Sequence, residues 1–335
     1  LNAKAQKAAS DALGSRKGAV VALNPSTGAI LAMVTSPTFD PNDLATHQVA
    51  DARSAWQKLN GDSANRPMAN RAVREIFPPG STFKVIVSAA ALDAGYEPDS
   101  VLDTSSYRLP GTGTTINTTC GNSQTLKRSL ELSCNSAFAR LGVKLGSDAL
   151  REQAEKFGFG TKPLSDITSV ASRFPEEIDT PQTGLASIGG FEVAATPLQM
   201  AMVAAAVRND GVVMQPYLVE SVRSADLQVL SQTRPSQLSL ATSSANAAKL
   251  RQMMVGVVQS GTGWRAQVAG VTVGGKTGTA NSDNVRTPYA WFIAWADNPD
   301  VAICVFVQDA EIAATDVAGG RVAAPIAKSV IEALR

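Results

Sequence analysis

The spacing of apolar and polar residues divides the chain into segments with helical or strand periodicity. Apolar residues at helical spacing over residues 1–13 predict a first helix. Two β-rich runs, 19–23 and 29–35, are joined by the turn-forming residues 24–28, and together they predict a β-hairpin. Residues 36–75 are polar and irregular, and we expect no regular element there.

The middle of the chain predicts mainly helices. A helix over residues 81–94 follows a Pro-Pro-Gly sequence and ends at Gly95. Residues 96–125 are rich in Gly, Thr and Asn, which favours loops with short strands. Further helices are predicted over residues 126–132, 136–145, 148–157 and 196–208.

The last third of the chain predicts strands and two helices. Strands are expected over residues 214–230, 271–279, 289–296 and 301–308, and helices over 245–259 and 325–334. The last two strands form a second hairpin because residues 297–300, Asp-Asn-Pro-Asp, favour a turn. Strands at both ends of the chain bracket a largely helical middle. The pattern therefore predicts an α/β protein of the α+β type, with an antiparallel sheet and a helical insertion rather than a doubly wound parallel sheet.

Length and charge set limits on the class of protein. The chain has 335 residues, 44% of them hydrophobic, which is enough for a full core. The 30 basic and 29 acidic side chains leave a net charge of +1, so we expect no binding to nucleic acid. The longest apolar run, near residues 200–207, is far shorter than the roughly 18 residues of a transmembrane helix. The polar, Ala-rich start predicts no signal peptide, as in a processed or excised chain.

A single histidine and three scattered cysteines restrict the chemistry. A zinc site needs more such ligands, so we expect no metal and no cofactor. A Ser-His-Asp enzyme would depend on His47 alone, and a lone histidine in a polar stretch is usually an ordinary surface residue. A nucleophilic enzyme with this sequence would therefore use a base other than imidazole.

The three cysteines differ in their surroundings. Cys304 lies in a strand-like run and is interpreted as a small core residue. Cys120 and Cys134 flank a short polar loop, where a disulfide and two free thiols are both compatible with the spacing. A disulfide would suit an extracytoplasmic location.

The first of three short motifs consists of Ser81 and Lys84 at the start of the predicted helix over 81–94. Residues three apart on the first turn share one face, so the two side chains can meet. A helix N-terminus also favours the negative charge of a serine alkoxide. Ser81 is thus a candidate nucleophile and Lys84 its base; the alternative is an ordinary N-cap serine.

A lysine must be neutral to accept a proton. With its unperturbed pKa of about 10.4, however, a lysine is protonated at neutral pH. Burial beside another cation lowers that pKa, and Lys276 could supply the cation. The second motif, Ser133 and Asn135, fits a proton relay, with Ser133 as a hydroxyl shuttle and Asn135 holding Lys84 or the substrate backbone. The alternative for the second motif is a cap or a turn.

The third motif is Lys276-Thr277-Gly278, on a predicted strand after two further glycines. Glycine weakens a strand, so this density predicts the close approach of a backbone or a ligand. An extended peptide could pair with the strand edge while Lys276 and Thr277 bind a terminal carboxylate. The N–H groups of Thr279 and Ser81 would then form an oxyanion hole. The alternative is a turn at the end of the strand.

In this order, the three motifs resemble the signatures of penicillin-binding proteins and serine β-lactamases. Asn70-Arg71-Ala72 leading into the Ser81 motif is similar to class B transpeptidases. Further similar segments are residues 21–33, 196–201, 290–293 and 319–325. The resemblance covers the whole chain.

The resemblance implies a five-stranded antiparallel sheet flanked by helices, with an all-helical subdomain and the active site between them. We accordingly expect an N-terminal helix and lead-in over 1–17 and a transpeptidase domain over 18–335. Within it, the sheet subdomain would take residues 18–75 and about 210–335, and the helical subdomain about 76–209.

The family also implies a reaction, which is the cross-linking of peptidoglycan. Ser81 would attack a D-Ala-D-Ala stem peptide, and an amine of a neighbouring stem peptide would take the acyl group. β-Lactam antibiotics would leave Ser81 acylated. Partners would include cell-wall synthesis or division proteins with a separate glycosyltransferase. Such proteins lie on the extracytoplasmic face of the bacterial membrane, held by an N-terminal anchor that we expect to be absent from this chain.

Two departures from the family pattern and three alternatives remain. Gly190 stands where many relatives have Gln, and Cys134 lies inside the second motif, whose position would depend on a bond to Cys120.

A serine β-lactamase or β-lactam sensor shares the motifs. Hydrolysis by a β-lactamase, however, needs a water-activating group, and Glu176 and Glu177 are interpreted as part of a solvated loop. A D,D-carboxypeptidase would use water in place of the amine. A non-catalytic scaffold with this fold is disfavoured by the intact set of motif residues.

Overall fold

The computed structural model describes residues 1–280, 288–310 and 312–335. Within these ranges no helix has the length and apolar character needed to cross a membrane. The α-helices are α1 (Ala3–Leu13), α2 (Val49–Gly61), α3 (Arg71–Arg74), α4 (Lys84–Asp93), α5 (Leu126–Leu132), α6 (Asn135–Leu145), α7 (Ser147–Lys156), α8 (Thr180–Ala186), α9 (Pro197–Arg208), α10 (Ser244–Gln259) and α11 (Gly319–Ala333).

The strands form one large sheet and several two-stranded ones. They are β1 (Lys17–Leu23), β2 (Ile30–Ser36), β3 (Val101–Asp103), β4 (Tyr107–Arg108), β5 (Thr115–Ile116), β6 (Ser123–Thr125), β7 (Val212–Met214), β8 (Ser221–Arg223), β9 (Val229–Gln232), β10 (Gln237–Leu240), β11 (Val273–Ala280), β12 (Tyr289–Asp297) and β13 (Asp300–Asp309). The small sheets pair β3 with β6, β4 with β5, β7 with β10 and β8 with β9.

The large sheet has five antiparallel strands in the order β11-β12-β13-β1-β2. Strands β1 and β2 form the first predicted hairpin, and β12 and β13 form the second. The N-terminal strand β1 joins them because it pairs with β13, with Lys17 opposite Asp309. The predicted antiparallel, α+β architecture is therefore confirmed.

Both faces of this sheet are covered by helices, which explains why most residues of its strands are apolar. Successive side chains of a strand point to opposite faces. On β1, Val20 and Ala22 join a core shared with α1 and α11, whereas Val21 joins a second core shared with α9. On β13, Ile303 and Cys304 divide in the same way.

Helices α4 to α9 fill the middle of the chain, and the sequence predicted all of them except α8. They share the larger core with one face of the sheet, through residues such as Phe83, Phe138 and Leu198. The proposed boundaries between a sheet subdomain and a helical subdomain stay predictions.

Three local predictions were wrong. Residues 36–75 contain the helix α2, which has no buried residue, so its sequence shows no apolar stripe of the kind that marks a packed helix. Helix α8 was missed although Asp179 and Gln182 form a capping box at its start. The last helix begins at Gly319, six residues before the predicted start, and contains Pro325 in its interior, where proline normally interrupts a helix.

Candidate active site

The turn that carries Ser81 is a 3-10 helix over Gly80–Phe83, and α4 begins directly after it at Lys84. The prediction had placed one continuous helix here. Gly80 has a φ of 53°, a left-handed conformation that glycine adopts without steric cost. Phe83 is fully buried and anchors the turn in the core, while Ser81 stays partly exposed at the bottom of a cleft.

Lys84 is fully buried, and its side-chain nitrogen contacts the second motif. Nζ donates to the carbonyl oxygen of Ser133 at 2.8 Å, to Ser133 Oγ at 3.2 Å and to Asn135 Oδ1 at 2.6 Å. The ring of Phe138 lies 5.4 Å from Nζ. Among the hydrogen bonds of the described residues, none joins Lys84 directly to Ser81. The structure thus brings Lys84, the candidate base, to the second motif rather than straight to Ser81.

Lys276 on β11 approaches the same hydroxyl from the other side. Its Nζ donates to Ser133 Oγ at 2.9 Å and to the carbonyl oxygen of Thr277 at 2.9 Å. Lys276 is fully buried, like Lys84. The Ser133 hydroxyl therefore lies between the side-chain nitrogens of two buried lysines, one from each of the other motifs.

This arrangement lowers the pKa of both lysines. Burial is the larger cause for Lys84, and the charge of Lys276 adds to it, so the pKa of Lys84 lies well below its usual range. Burial alone lowers the pKa of Lys276 to about 7. Both directions agree with the expectation that burial beside a second cation makes Lys84 available as a base.

Ser133 owes its position to the end of helix α5 and to a disulfide. It adopts a left-handed conformation with a φ of 61°, and its amide donates to the carbonyl oxygens at the end of α5. The next residue, Cys134, is bonded to Cys120, and Asn135 then begins α6. Of the two alternatives that the sequence left open, the structure contains the disulfide. Cys304 is a buried free thiol, as predicted.

The third motif packs backbone against backbone on the turn that carries Ser81. A Cβ on Gly278 would lie 2.8 Å from the carbonyl oxygen of Pro79, and a Cβ on Gly80 would lie 2.8 Å from that of Thr279. Real Cβ atoms do not come this close to a backbone oxygen. Glycine at both positions therefore allows β11, the edge strand of the sheet, to lie directly beside Ser81, as its glycine content predicted.

These elements enclose a cleft of about 640 Å³. Its lining consists of Ser81, Leu132, Ser133, Asn135, Ser260, Gly261, Thr262, Trp264, Arg265, Thr277, Thr279, Ala318, Gly319, Gly320 and Arg321. Lys84 and Lys276 lie buried next to this lining and reach it through Ser133. Residues that the sequence placed in three separate motifs thus share one site.

One wall of the cleft was not predicted. It follows helix α10 and includes Thr262, whose hydroxyl lies 2.6 Å from that of Thr277, together with the exposed Trp264. The Gly-rich sequence around Thr262 was an available signal. By contrast, His47, Glu176 and Glu177 are exposed and do not line the cleft, as expected of solvated residues.

Comparison with known proteins identifies the family. The family model of the penicillin binding protein transpeptidase domain matches residues 18–332 of this sequence. This chain belongs to that family. It is 45% identical to peptidoglycan D,D-transpeptidase PbpA of Mycolicibacterium smegmatis, over 98% of this chain and 70% of the relative. It is 42% identical to PbpA of Mycobacterium tuberculosis, over 99% of this chain and 71% of the relative.

Solved structures of penicillin-binding proteins share the fold. The ceftriaxone acyl-enzyme complex of penicillin-binding protein A from M. tuberculosis aligns with a TM-score of 0.95 and 40% identity, covering 99% of this chain and 78% of that one. A D,D-transpeptidase domain from Eggerthella lenta aligns with a TM-score of 0.84 and 35% identity, covering 99% and 81%. The expected family and fold class are confirmed, and the roles of the individual site residues stay predictions.

Proposed function

We propose that this chain is a peptidoglycan D,D-transpeptidase with Ser81 as its nucleophile. The observation that carries the proposal is the Ser133 hydroxyl, which lies 3.2 Å from the Nζ of Lys84 and 2.9 Å from that of Lys276, in a cleft that also contains Ser81. The two PbpA relatives, each similar over nearly the whole chain, carry this activity in their names.

Acylation follows from the arrangement of the lysines. The Oγ of Ser81 attacks the carbonyl carbon of the penultimate D-Ala, and neutral Lys84 receives the hydroxyl proton. The proton then passes through Ser133 to the nitrogen of the terminal D-Ala, so that the peptide bond breaks and D-Ala leaves as a neutral amine. The N–H groups of Ser81 and Thr279 stabilise the oxyanion in the tetrahedral intermediate.

Other side chains of the site bind the donor peptide. Lys276, Thr277 and Thr279 attract its terminal carboxylate, and the backbone of Gly278 allows an extended peptide to lie along the edge of β11. Asn135 accepts a hydrogen bond from Lys84 through Oδ1, so its amide nitrogen can donate to a substrate carbonyl. The acyl group is held in place while D-Ala leaves.

Deacylation transfers the acyl group to an amine of a neighbouring stem peptide. Hydrolysis, as in a β-lactamase or a D,D-carboxypeptidase, needs a group that activates water. Among the described residues that line the cleft, none has a carboxylate side chain. This composition favours an amine, which is a better nucleophile than water, and it also explains how a β-lactam would leave Ser81 stably acylated.

The proposal extends to location and partners. The disulfide between Cys120 and Cys134 supports an extracytoplasmic site of action, because such bonds persist where thiols are oxidised. We propose a membrane-anchored form acting with a separate glycosyltransferase and other proteins of cell-wall synthesis or division. The net charge of +1 supports no role for nucleic acid.

The test is intact-protein mass spectrometry after incubation with benzylpenicillin, followed over hours. We expect one stable adduct that maps to Ser81, is lost in Ser81→Ala, and is retained in the control Ser10→Ala, which changes an exposed serine on α1. An adduct that disappears with release of hydrolysed drug would indicate a β-lactamase. A folded protein without any adduct would indicate a non-catalytic scaffold.

A benzylpenicillin adduct does not separate a transpeptidase from a D,D-carboxypeptidase. A second assay therefore supplies a D-Ala-D-Ala pentapeptide with an amine acceptor. Formation of the cross-linked product supports the proposal, and release of D-Ala with hydrolysis alone contradicts it.

A further inference from the structure

A buried carboxylate lies directly before the second motif and takes no part in the proposed reaction. Glu131 belongs to the last turn of α5, two residues before Ser133, and is only 5% exposed. Its Oε2 accepts a hydrogen bond from Arg128 Nη1 at 2.8 Å, one turn earlier on the same helix. Burial of a charged group costs free energy even when it is paired, so this position calls for an explanation beyond stability.

Helix α10 is shaped to receive this side chain. A Cβ on Gly256 would overlap the Glu131 carboxylate, so glycine at that position leaves room for this side chain between α5 and α10. Beyond the end of α10, the amide of Thr262 donates to the carbonyl oxygen of Glu131 at 3.2 Å. Gly261 packs against the same carbonyl, where a Cβ would lie at 2.5 Å.

The contacts continue from this point to the third motif. The Thr262 hydroxyl lies 2.6 Å from the hydroxyl of Thr277, which follows Lys276 on β11. Two routes therefore join the second motif to the third. One is the direct hydrogen bond from Lys276 to Ser133 Oγ, and the other runs around the wall of the cleft through Glu131, Thr262 and Thr277.

We propose that Glu131, held by Arg128, is a positioning residue that fixes Ser133 between Lys84 and Lys276. Glu131 is not among the residues that line the cleft, so it acts through the placement of α5 on α10. When the carboxylate is lost, the last turn of α5 shifts on α10 and the Ser133 hydroxyl moves relative to the two lysines. This inference rests on the proposed function, because it concerns the relay that the function requires.

The consequence is a selective loss in the chemical step. A displacement of about 1 Å in a catalytic group can cost on the order of a hundredfold in rate. Binding of the β-lactam before acylation depends on the cleft surface, which Glu131 does not reach. We therefore expect Glu131→Ala to lower the limiting acylation rate by about a hundredfold, with little change in the dissociation constant of the noncovalent complex. Glu131→Gln keeps the volume of the side chain, so its limiting acylation rate should fall less than that of Glu131→Ala.

The experiment measures benzylpenicillin acylation by stopped flow, with the limiting rate and the dissociation constant separated, in wild type, Glu131→Gln and Glu131→Ala. Arg251→Ala is the matched control, because Arg251 lies on α10, the helix against which Glu131 packs, but binds Asp210 at 2.8 Å and the carbonyl oxygen of Val207 at 3.0 Å. Thermal unfolding is recorded for every variant. Glu131 variants that acylate at the wild-type limiting rate would overturn the inference. It would also be overturned if Arg251→Ala, at the same loss of thermal stability, lowered the limiting acylation rate by as much as the Glu131 variants do.

A double-mutant cycle keeps the inference testable if Glu131→Ala does not fold. Thr262→Val removes the hydroxyl that contacts Thr277 and keeps the shape of the side chain. If the contacts form one unit, the limiting rate of the Glu131→Gln, Thr262→Val double variant exceeds the value expected from the product of the single effects. Independent, multiplicative effects contradict the inference. A wild-type protein that fails to acylate would instead contradict the proposed function.

Discussion

The amide of Gly80 donates a hydrogen bond to the carbonyl oxygen of Gly189 at 3.1 Å, and this contact seats the nucleophile turn on the loop that follows α8. Gly189 has a φ of 77°, and a Cβ there would overlap the backbone of Gly80. The neighbouring Gly190 has no such overlap, since its nearest contact would be the carbonyl oxygen of Leu185 at 3.3 Å. Two adjacent glycines thus have different roles beside Ser81.

We therefore predict that Gly189→Ala and Gly190→Ala differ sharply in stability and in the acylation rate of Ser81. Alanine at residue 189 would have to adopt a left-handed backbone conformation, which costs about 1–2 kcal/mol. It would also displace Gly80, which should slow acylation of Ser81 by about a hundredfold. Gly190→Ala should stay close to wild type. Benzylpenicillin acylation rates and thermal unfolding of both variants check this prediction, and equal behaviour would show that the contact with Gly80 is unimportant.

A second prediction concerns Lys84 as the base. Lys84→Arg keeps the positive charge but cannot give up its proton at neutral pH, so acylation should slow by about a hundredfold to ten-thousandfold. Because the pKa of Lys84 lies well below its usual range, the wild-type rate at neutral pH should come from neutral Lys84. The rate should fall as the pH is lowered through that pKa.

The measurement is the acylation rate of wild type and Lys84→Arg between pH 5 and pH 9, a range chosen to span about two units on each side of neutrality. Lys328→Arg, on the partly exposed surface of α11, serves as the control. Wild-type kinetics in Lys84→Arg would contradict the role of Lys84 as base.

A third prediction follows from the pKa of Lys276, which burial lowers to about 7 in the folded protein from an ordinary lysine value of about 10.4. Between these pH values the unfolded chain binds more protons than the folded one, so the free energy of unfolding rises with pH. The slope from one such group is at most about 1.4 kcal/mol per pH unit. Lys276→Met removes this contribution.

Urea unfolding at pH 7, 8 and 9 tests this sign in wild type and Lys276→Met. We expect the stability of wild type relative to the variant to increase across the series. A constant difference would mean that Lys276 remains protonated in the folded protein over this range.

A fourth prediction concerns the disulfide between Cys120 and Cys134, which are 14 residues apart. Closing a loop of this size stabilises the folded state by about 3 kcal/mol in the chain-entropy account. The double variant Cys120→Ser, Cys134→Ser should lose stability of this order. It should also acylate more slowly, because Cys134 lies between the two residues of the second motif.

Thermal unfolding and acylation of the double variant, with and without a reducing agent, measure both effects. The control is Cys304→Ala, a change at the buried free thiol that leaves the disulfide intact. Reduction should lower the stability of Cys304→Ala and have no effect on the double variant. Wild-type acylation in the double variant would show that the disulfide does not position the second motif.

Local patterns sufficed to predict the five strands of the large sheet, whereas β10 was not predicted. The hairpins of β1 with β2 and β12 with β13 were visible because apolar runs flank turn-forming residues. Helix α2 was missed because none of its residues is buried, and an apolar stripe is the main signal of a packed helix. The Cys120–Cys134 bond stayed open because the spacing alone fits bridged and free cysteines equally well.

The parts of the site that sequence could not predict depend on contacts between distant segments. Glu131 and Thr262 are separated by more than a hundred residues and meet only because α5 packs on α10. The position of Ser133 between Lys84 and Lys276 likewise depends on tertiary packing. The motifs indicated which residues belong together, but they did not indicate that Lys84 would contact Ser133 rather than Ser81.

The place of β1 in the sheet has a consequence for the order in which the protein matures. Its partner β13 lies at the other end of the chain, with Lys17 opposite Asp309. During vectorial synthesis or export, β1 emerges before β11, β12 and β13, and within the large sheet it can pair only with β2 until β13 arrives. Folding dominated by contacts so distant in sequence is slow, because the entropy of closing the long loop opposes it. We therefore expect β11 to settle beside Ser81 only after β12 and β13 have joined it to β1.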